Sequence, residues 1–393
     1  MSILIFAIIL SFLVIIHELG HFLFARHFNI GVEEFGVGYP PRAKVFKTDK
    51  RGTQYTLNWL PFGGFVKLYG EDGSLETEDP ESLPVRQAGL PGKRAGKIQS
   101  GEAFFKKPVS VRMIVVAAGA VTNFIFGIIA FGIIYTYIGI PTQYKYVKIE
   151  EVAMDSPAQI AGIKANDTYK AIVIDGREIP VTSVDAFIRE VSQYRGQTVD
   201  LLPATNEGKK VTVYVRKDTE TPQNQGAIGV VVTDFEMKRY PIWQMPFRGM
   251  AYGTKTAVQF GGLLIQALGQ MVGQLFRGEI PKDVAGPVGI AYMAQKENIL
   301  TGWLSSLNFA AVLSINLAIV NLLPIPALDG GRAVFLMVEG ITRKRVKPEI
   351  EQRVNTLGFA ALILLLVVIS IKDIRTVVGD KGVQDWFRGI FQR

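Results

Sequence analysis

Ile15-Ile16-His17-Glu18-Leu19-Gly20-His21-Phe22 sets two imidazoles and a carboxylate inside an apolar run. Apart from His17, Glu18, Gly20, His21 and Ser11, every residue from Ser2 to Phe24 is hydrophobic or small. Such a stretch predicts a membrane-spanning helix, because about 20 apolar residues cross a bilayer. On a helix His17 and His21 leave the same face one turn apart, which suits two ligands of one tetrahedral zinc ion. Glu18 stands beside the first histidine and is the candidate general base for an attacking water. A charge at membrane depth costs about 2.5 kcal/mol or more, so a chance occurrence of this spacing is a poorer reading here than in a soluble helix.

Composition supports a membrane protein with a water-soluble part. Hydrophobic residues make up 48% of the 393, yet 20% are charged, and the mean hydropathy is +0.23. That length has room for two or three domains. The net charge of +8 is not gathered into long basic runs, which argues against nucleic acid and for loops facing anionic lipid. No cysteine is present, so disulfides, thiolate metal sites and cysteine nucleophiles are excluded. The histidines are His17, His21 and His27 alone. His27 falls on nearly the opposite helix face from His21, so the third ligand is expected to be a carboxylate. The amino terminus lacks a basic leader and a small-x-small cleavage site and reads as a retained first span.

Four uncharged stretches are long enough to span: roughly residues 2–24, 113–140, 301–328 and 354–371. Between the first two, Phe35–Pro41 and Leu60–Lys67 are turn-rich and flank the alternating run Gln54–Trp59, which predicts a small β-hairpin structure near the membrane face. Residues 71–107 read as a surface loop. From Tyr144 to Phe235 charges return and short strands alternate, with an amphipathic helix at Val184–Gln193. Residues 246–276 are apolar but carry four glutamines from Gln259 to Gln274, which argue for an interfacial or protein-packed helix, placed here on the membrane surface. Val284–Ile290 reads as a turn-rich entry to the third span.

The end of that span, Asn321-Leu322-Leu323-Pro324-Ile325-Pro326-Ala327-Leu328-Asp329-Gly330-Gly331, breaks at its two prolines and presents Asp329 from an irregular segment. Asp329 is the expected third ligand. Its competing role is to cap a helix over residues 330–340. Asn321 and Asn316 are polar groups inside the span, suited to a substrate backbone or a developing oxyanion. For Asn321, next to the metal segment, the substrate role is the stronger reading; for Asn316 it stands level with an interhelical hydrogen bond.

HELGH in a first span and Asn321-x-x-Pro324-x-Pro326-x-Leu328-Asp329-Gly330-Gly331 in a third resemble the site-2 protease family of intramembrane zinc metalloproteases. The stretch Gly101–Pro108, Arg112 and Ala118–Phe124 resemble the start of that family's second span. Ser156–Asp167, followed by Ile174-Asp175-Gly176, resembles a PDZ domain of the protease-associated kind, with Asn166 where a glycine is usual. Asparagine tolerates the left-handed backbone such a turn needs. The domain either takes an extended peptide on its sheet edge or only plugs the site.

The resemblance implies a polytopic α-helical membrane protein of about four spans, with a membrane-associated β segment and an inserted PDZ-like α+β domain. It implies zinc on His17, His21 and Asp329, one ion per chain, with Glu18 as base. Asn321, with Asn316 as a second candidate, is assigned to substrate binding, and residues 35–68 to a reentrant β structure that grips substrate. The expected parts are the first span with HExxH (1–28), a cytoplasmic-side loop with the β segment (29–108), the second span (109–140) and the PDZ-like extracytoplasmic domain (141–240). An interfacial helix and loop (241–300), the third span (301–331), a cytoplasmic connection (332–353) and the fourth span with tail (354–393) follow. Substrates implied are single-span membrane proteins, such as anti-sigma factors or signal-peptide remnants, with a site-1 type protease acting upstream. The place implied is a bacterial inner membrane.

Basic residues near the span ends (Arg26, Arg42, Lys106, Arg112, Arg343, Arg345) put the metal-binding ends at the cytoplasmic side. Asp329 can meet His17 only if residues 246–276 do not add a fifth crossing. Two other classes compete: a non-catalytic membrane scaffold that recruits peptides, and a metal-ion transporter with midplane ligands.

Overall fold

A computed structural model describes residues 2–71, 101–205, 210–222, 225–277, 289–290 and 302–381. Most of the expected 71–107 loop, the start of the 284–290 turn and the tail beyond Lys381 lie outside them. The chain forms two compact units, one of residues 1–134 with 249–393 and one of residues 135–248.

In the first unit, α1 (Ser2–His27) is followed by β1 (Val32–Thr48) and β2 (Gln54–Leu68). Then come α2 (Val109–Ile138), α5 (Met245–Phe276), α6 (Trp303–Leu322), α7 (Asp329–Thr342) and α8 (Pro348–Lys381). Four helices among the described residues are long and apolar enough to cross a membrane: Leu4–His27, Val109–Ile138, Trp303–Leu322 and Pro348–Ile374. They match the four expected stretches with shifted ends. The third helix stops at Leu322 and not at 328, because Pro324 and Pro326 lack the amide a further turn would need.

Leu13 is fully buried against Phe309 and Leu313, which seats α1 on α6. At the other end of α1, Ala25, Ile30, Val32, Leu68 and Val115 form one buried cluster. It joins the helix end, the base of the β pair and the start of α2. β1 and β2 pair antiparallel, with repeated register shifts. The segments read as turn-rich, Phe35–Pro41 and Leu60–Lys67, lie wholly inside these strands. Their glycines and prolines are accommodated where the pairing is irregular.

α5 is one continuous helix. A Cβ on Gly253 would lie 2.4 Å from the Gly132 backbone nitrogen, and one on Gly261 would contact Phe124 and Ile319. Glycine is required at 253 because the two backbones touch. The segment expected on the membrane surface is thus packed on α2 and α6 along this half, although it is not among the four candidate spans.

In the second unit, β3 (Ile140–Val152), β4 (Thr168–Ile174), β5 (Arg177–Pro180), β6 (Thr198–Pro203), β7 (Val211–Tyr214) and β8 (Val230–Lys238) form one sheet. Its order is β7-β6-β4-β3-β8, with β5 on β4. α3 (Pro157–Ile160) is capped by the Ser156 side chain and opens on proline. α4 spans Val184–Gln193 as expected, and its Ser183 cap accepts from Ala186 N. Phe187 and Val191 carry its apolar face into a core with Val147, Ile149, Ile172 and Leu201. Asn166 does adopt the left-handed backbone, at φ 76°.

Gly253→Leu should drive α5 off α2, at a cost of about 1–3 kcal/mol for overpacking. A thermal unfolding scan in detergent checks it, and an unchanged midpoint would show that the two helices are not closely packed there.

Candidate metal centre

The centre is built from both ends of a long gap in sequence. α1 holds His17 and His21, which are 7% and 8% exposed. His21 Nδ1 lies 2.8 Å from the Val115 carbonyl of α2. A carbonyl only accepts, so Nδ1 carries a proton and Nε2 is the ring atom left to face a metal. That Nε2 lies 3.2 Å from His17 Nε2. Asp329 Oδ2 lies 2.9 Å from His17 Nε2 and 3.2 Å from His21 Nε2. His17, His21 and Asp329 are the one group of three such side chains that clusters among the described residues.

Asp329 is the first residue of α7, and Leu328 occupies the cap position without a side-chain bond. The capping role therefore does not apply. Oδ2 is buried and has no hydrogen-bond partner in acceptable geometry. Three atoms able to ligate a metal thus face one another at 2.9–3.2 Å, with Oδ2 unsatisfied. A cation resolves this. Zinc ligands at about 2.0–2.2 Å have tetrahedral edges of about 3.3 Å, close to the separations here. The donor set fits the ion.

Glu18 is not one of the three clustered side chains. Its Oε2 accepts from the Val66 amide at 3.0 Å, so a backbone group of β2 orients it. Asn321, in the last turn of α6, brings Nδ2 to 3.4 Å from both ring nitrogens of His17. Asn316 is five residues earlier on α6, about 140° around the helix, and no hydrogen bond joins it to this group among the described residues. His27 is exposed and packs on the Phe28 ring.

Gly119 is a site residue that sequence reasoning passed over. A Cβ there would stand 2.4 Å from His21 Nε2 and 2.6 Å from His17 Cε1, so α2 must be bare where it passes the imidazoles. Its one signal is the small-residue run Ala117-Ala118-Gly119-Ala120 in a span, which marks close helix approach. The Val66 amide and Val115 carbonyl are backbone groups and leave no trace in side-chain identity.

Residues 5–365 match Peptidase family M50. The chain belongs to that family, the site-2 proteases. Among its relatives is a provisionally named zinc metalloprotease of Rickettsia conorii, 31% identical over 96% of this chain and 99% of that one. Another, from Clostridium perfringens and named in the same way, is 32% identical over 93% of this chain and 96% of its own. The zinc metalloprotease RasP of Geobacillus kaustophilus is 28% identical over 95% of this chain and 98% of its own. Membership makes this chain a peptidase, and its apolar helices make it membrane-embedded.

Gly119→Ala should crowd both imidazoles and weaken metal retention by about tenfold or more, the usual scale for a disturbed ligand orientation. Metal per chain after dialysis against a mild chelator measures this; wild-type retention would mean α2 can retreat from the histidines.

Proposed function

We propose that this chain cuts peptide bonds within or next to the transmembrane segment of single-span membrane proteins, anti-sigma factors and signal-peptide remnants being the substrate type the resemblance implies. It is a zinc metalloendopeptidase of the M50 family, with Zn2+ as cofactor. The observation that carries the reading is the convergence of His17, His21 and Asp329 beside a tethered carboxylate, with both histidines in the C-terminal half of an apolar helix.

Zinc held by His17, His21 and Asp329 would supply a Lewis acid for the scissile carbonyl and lower the pKa of the attacking water. Glu18 takes the proton from that water and returns it to the leaving amine. The Val66 amide holds Oε2 of Glu18 and leaves Oε1 for the proton. Asn321 offers Nδ2 to the oxyanion that develops on the scissile carbonyl. Asn316, on another face of α6, is assigned no part in the cut. The substrate must be extended to be cut, since a helical peptide bond is shielded by its own turn. The β1–β2 pair offers edges on which an extended segment can be held.

The second unit is read as the PDZ-like domain, supported by its small sheet, the α4 helix and the left-handed Asn166. It lies outside the cell, either binding peptide or excluding intact substrates, and a site-1 type protease acts first. The basic span ends support a bacterial inner membrane with the metal centre toward the cytoplasm.

Purified protein in detergent, incubated with a panel of single-span peptides, tests the reading. Glu18→Gln should keep its metal and lose cleavage by about 10²–10⁴-fold. A scaffold would be indifferent to that change, and a transporter would show metal flux without cleavage. Cutting that persists in a zinc chelator, or in His17→Ala, would remove the metal mechanism.

A further inference from the structure

Asp329 reaches the histidines only if α7 is aimed correctly, and apolar burial does little to aim it. Gly330, Gly331 and Leu336 are its buried residues, so a single large apolar side chain is fully covered. What fixes the far end of α7 is charge. Arg112, at the start of α2 and 5% exposed, forms a two-pronged pair with Glu339. Nη1 donates to Oε2 at 3.0 Å, and Nη2 donates to Oε1. The third nitrogen, Nε, donates to the Lys107 carbonyl at 3.0 Å, which locks the guanidinium plane. A planar fork matched to a carboxylate fixes direction as well as distance.

The same helix α2 carries the references for the two histidines. Val115, three residues after Arg112 and on the same side of the helix, accepts from His21 Nδ1. Gly119, one turn farther on, lies against both rings. A second tie acts near the first turn of α7. Arg332, three residues after Asp329, pairs with Glu71, whose other oxygen accepts from the Leu68 amide at 3.2 Å. α7 is thereby held to α2 at one end and to the base of the β pair at the other.

We infer that Arg112 and Glu339 are positioning residues: they register α7 against α2 and so set the Asp329 carboxylate on the histidine pair. The pair touches neither metal nor substrate. This rests on the reading of His17, His21 and Asp329 as zinc ligands.

The test is zinc affinity, measured on the full chain in detergent by competition with a chromogenic chelator, beside the melting point of the zinc-free protein. Glu339→Gln keeps the shape and removes the charge. The double variant Arg112→Met with Glu339→Leu removes the directional fork without leaving a charge buried alone, a change folds often tolerate. Both should bind zinc about 10–100-fold more weakly, with the zinc-free melting point near wild type. The exchange Arg112→Glu with Glu339→Arg should recover part of the affinity. Wild-type zinc affinity in both of the first two variants would overturn the inference. So would a loss of affinity that only tracks a lower zinc-free melting point in Glu339→Gln, since that marks a structural pair. Asp329→Asn serves as the control. If it too keeps full zinc affinity, the ligand assignment fails and not merely the positioning.

Discussion

His17 Nε2, His21 Nε2 and Asp329 Oδ2 present electron pairs to one another at 2.9–3.2 Å inside the protein. Low dielectric strengthens the repulsion among such atoms and equally strengthens their attraction for a cation. The surrounding elements meet this requirement by orientation. The Val115 carbonyl sets the His21 tautomer, Gly119 gives the rings room, and the prolines after α6 release the chain so that Asp329 can start a new helix. α2 serves as the common reference, since it supplies the first two of these and the Arg112 clamp as well.

A hydrolytic centre among apolar helices must also keep its base polar and aimed. The carboxylate proposed as base is tied by a strand and not by another helix: the Val66 amide of β2 holds Glu18. A helix neighbour has no free amide to offer in mid-span, because its own carbonyls use them. An irregular strand pair does, which gives non-helical backbone at this place a physical purpose. The same strand pair is anchored at its base by the cluster around Val32, Leu68 and Val115.

Much of this was readable along the chain. The one-turn spacing of His17 and His21 needs only helix geometry, and the lack of cysteine and of a third usable histidine pointed to a carboxylate. The pattern at Val184–Gln193 predicted α4 to the residue, because a half-buried helix writes its period into its polarity. Local patterns failed where partners decided the outcome. Phe35–Pro41 and Leu60–Lys67 look like turns by composition, yet pairing makes them strands throughout. Residues 246–276 read as interfacial or protein-packed by their glutamines, and they stay outside the four candidate spans while Gly253 packs on Gly132.

Residue identity along the chain carries the chemistry: which residue types can hold a metal, which carboxylate is available to move a proton, and which stretches are apolar enough to span. Those are properties of side chains and of short-range periodicity, so they survive without a fold. Only the tertiary structure decided which backbone groups aim that chemistry. The Val66 amide, the Val115 carbonyl and the bare face at Gly119 act through position across long gaps in sequence, and a backbone amide or carbonyl is the same in every residue that carries one.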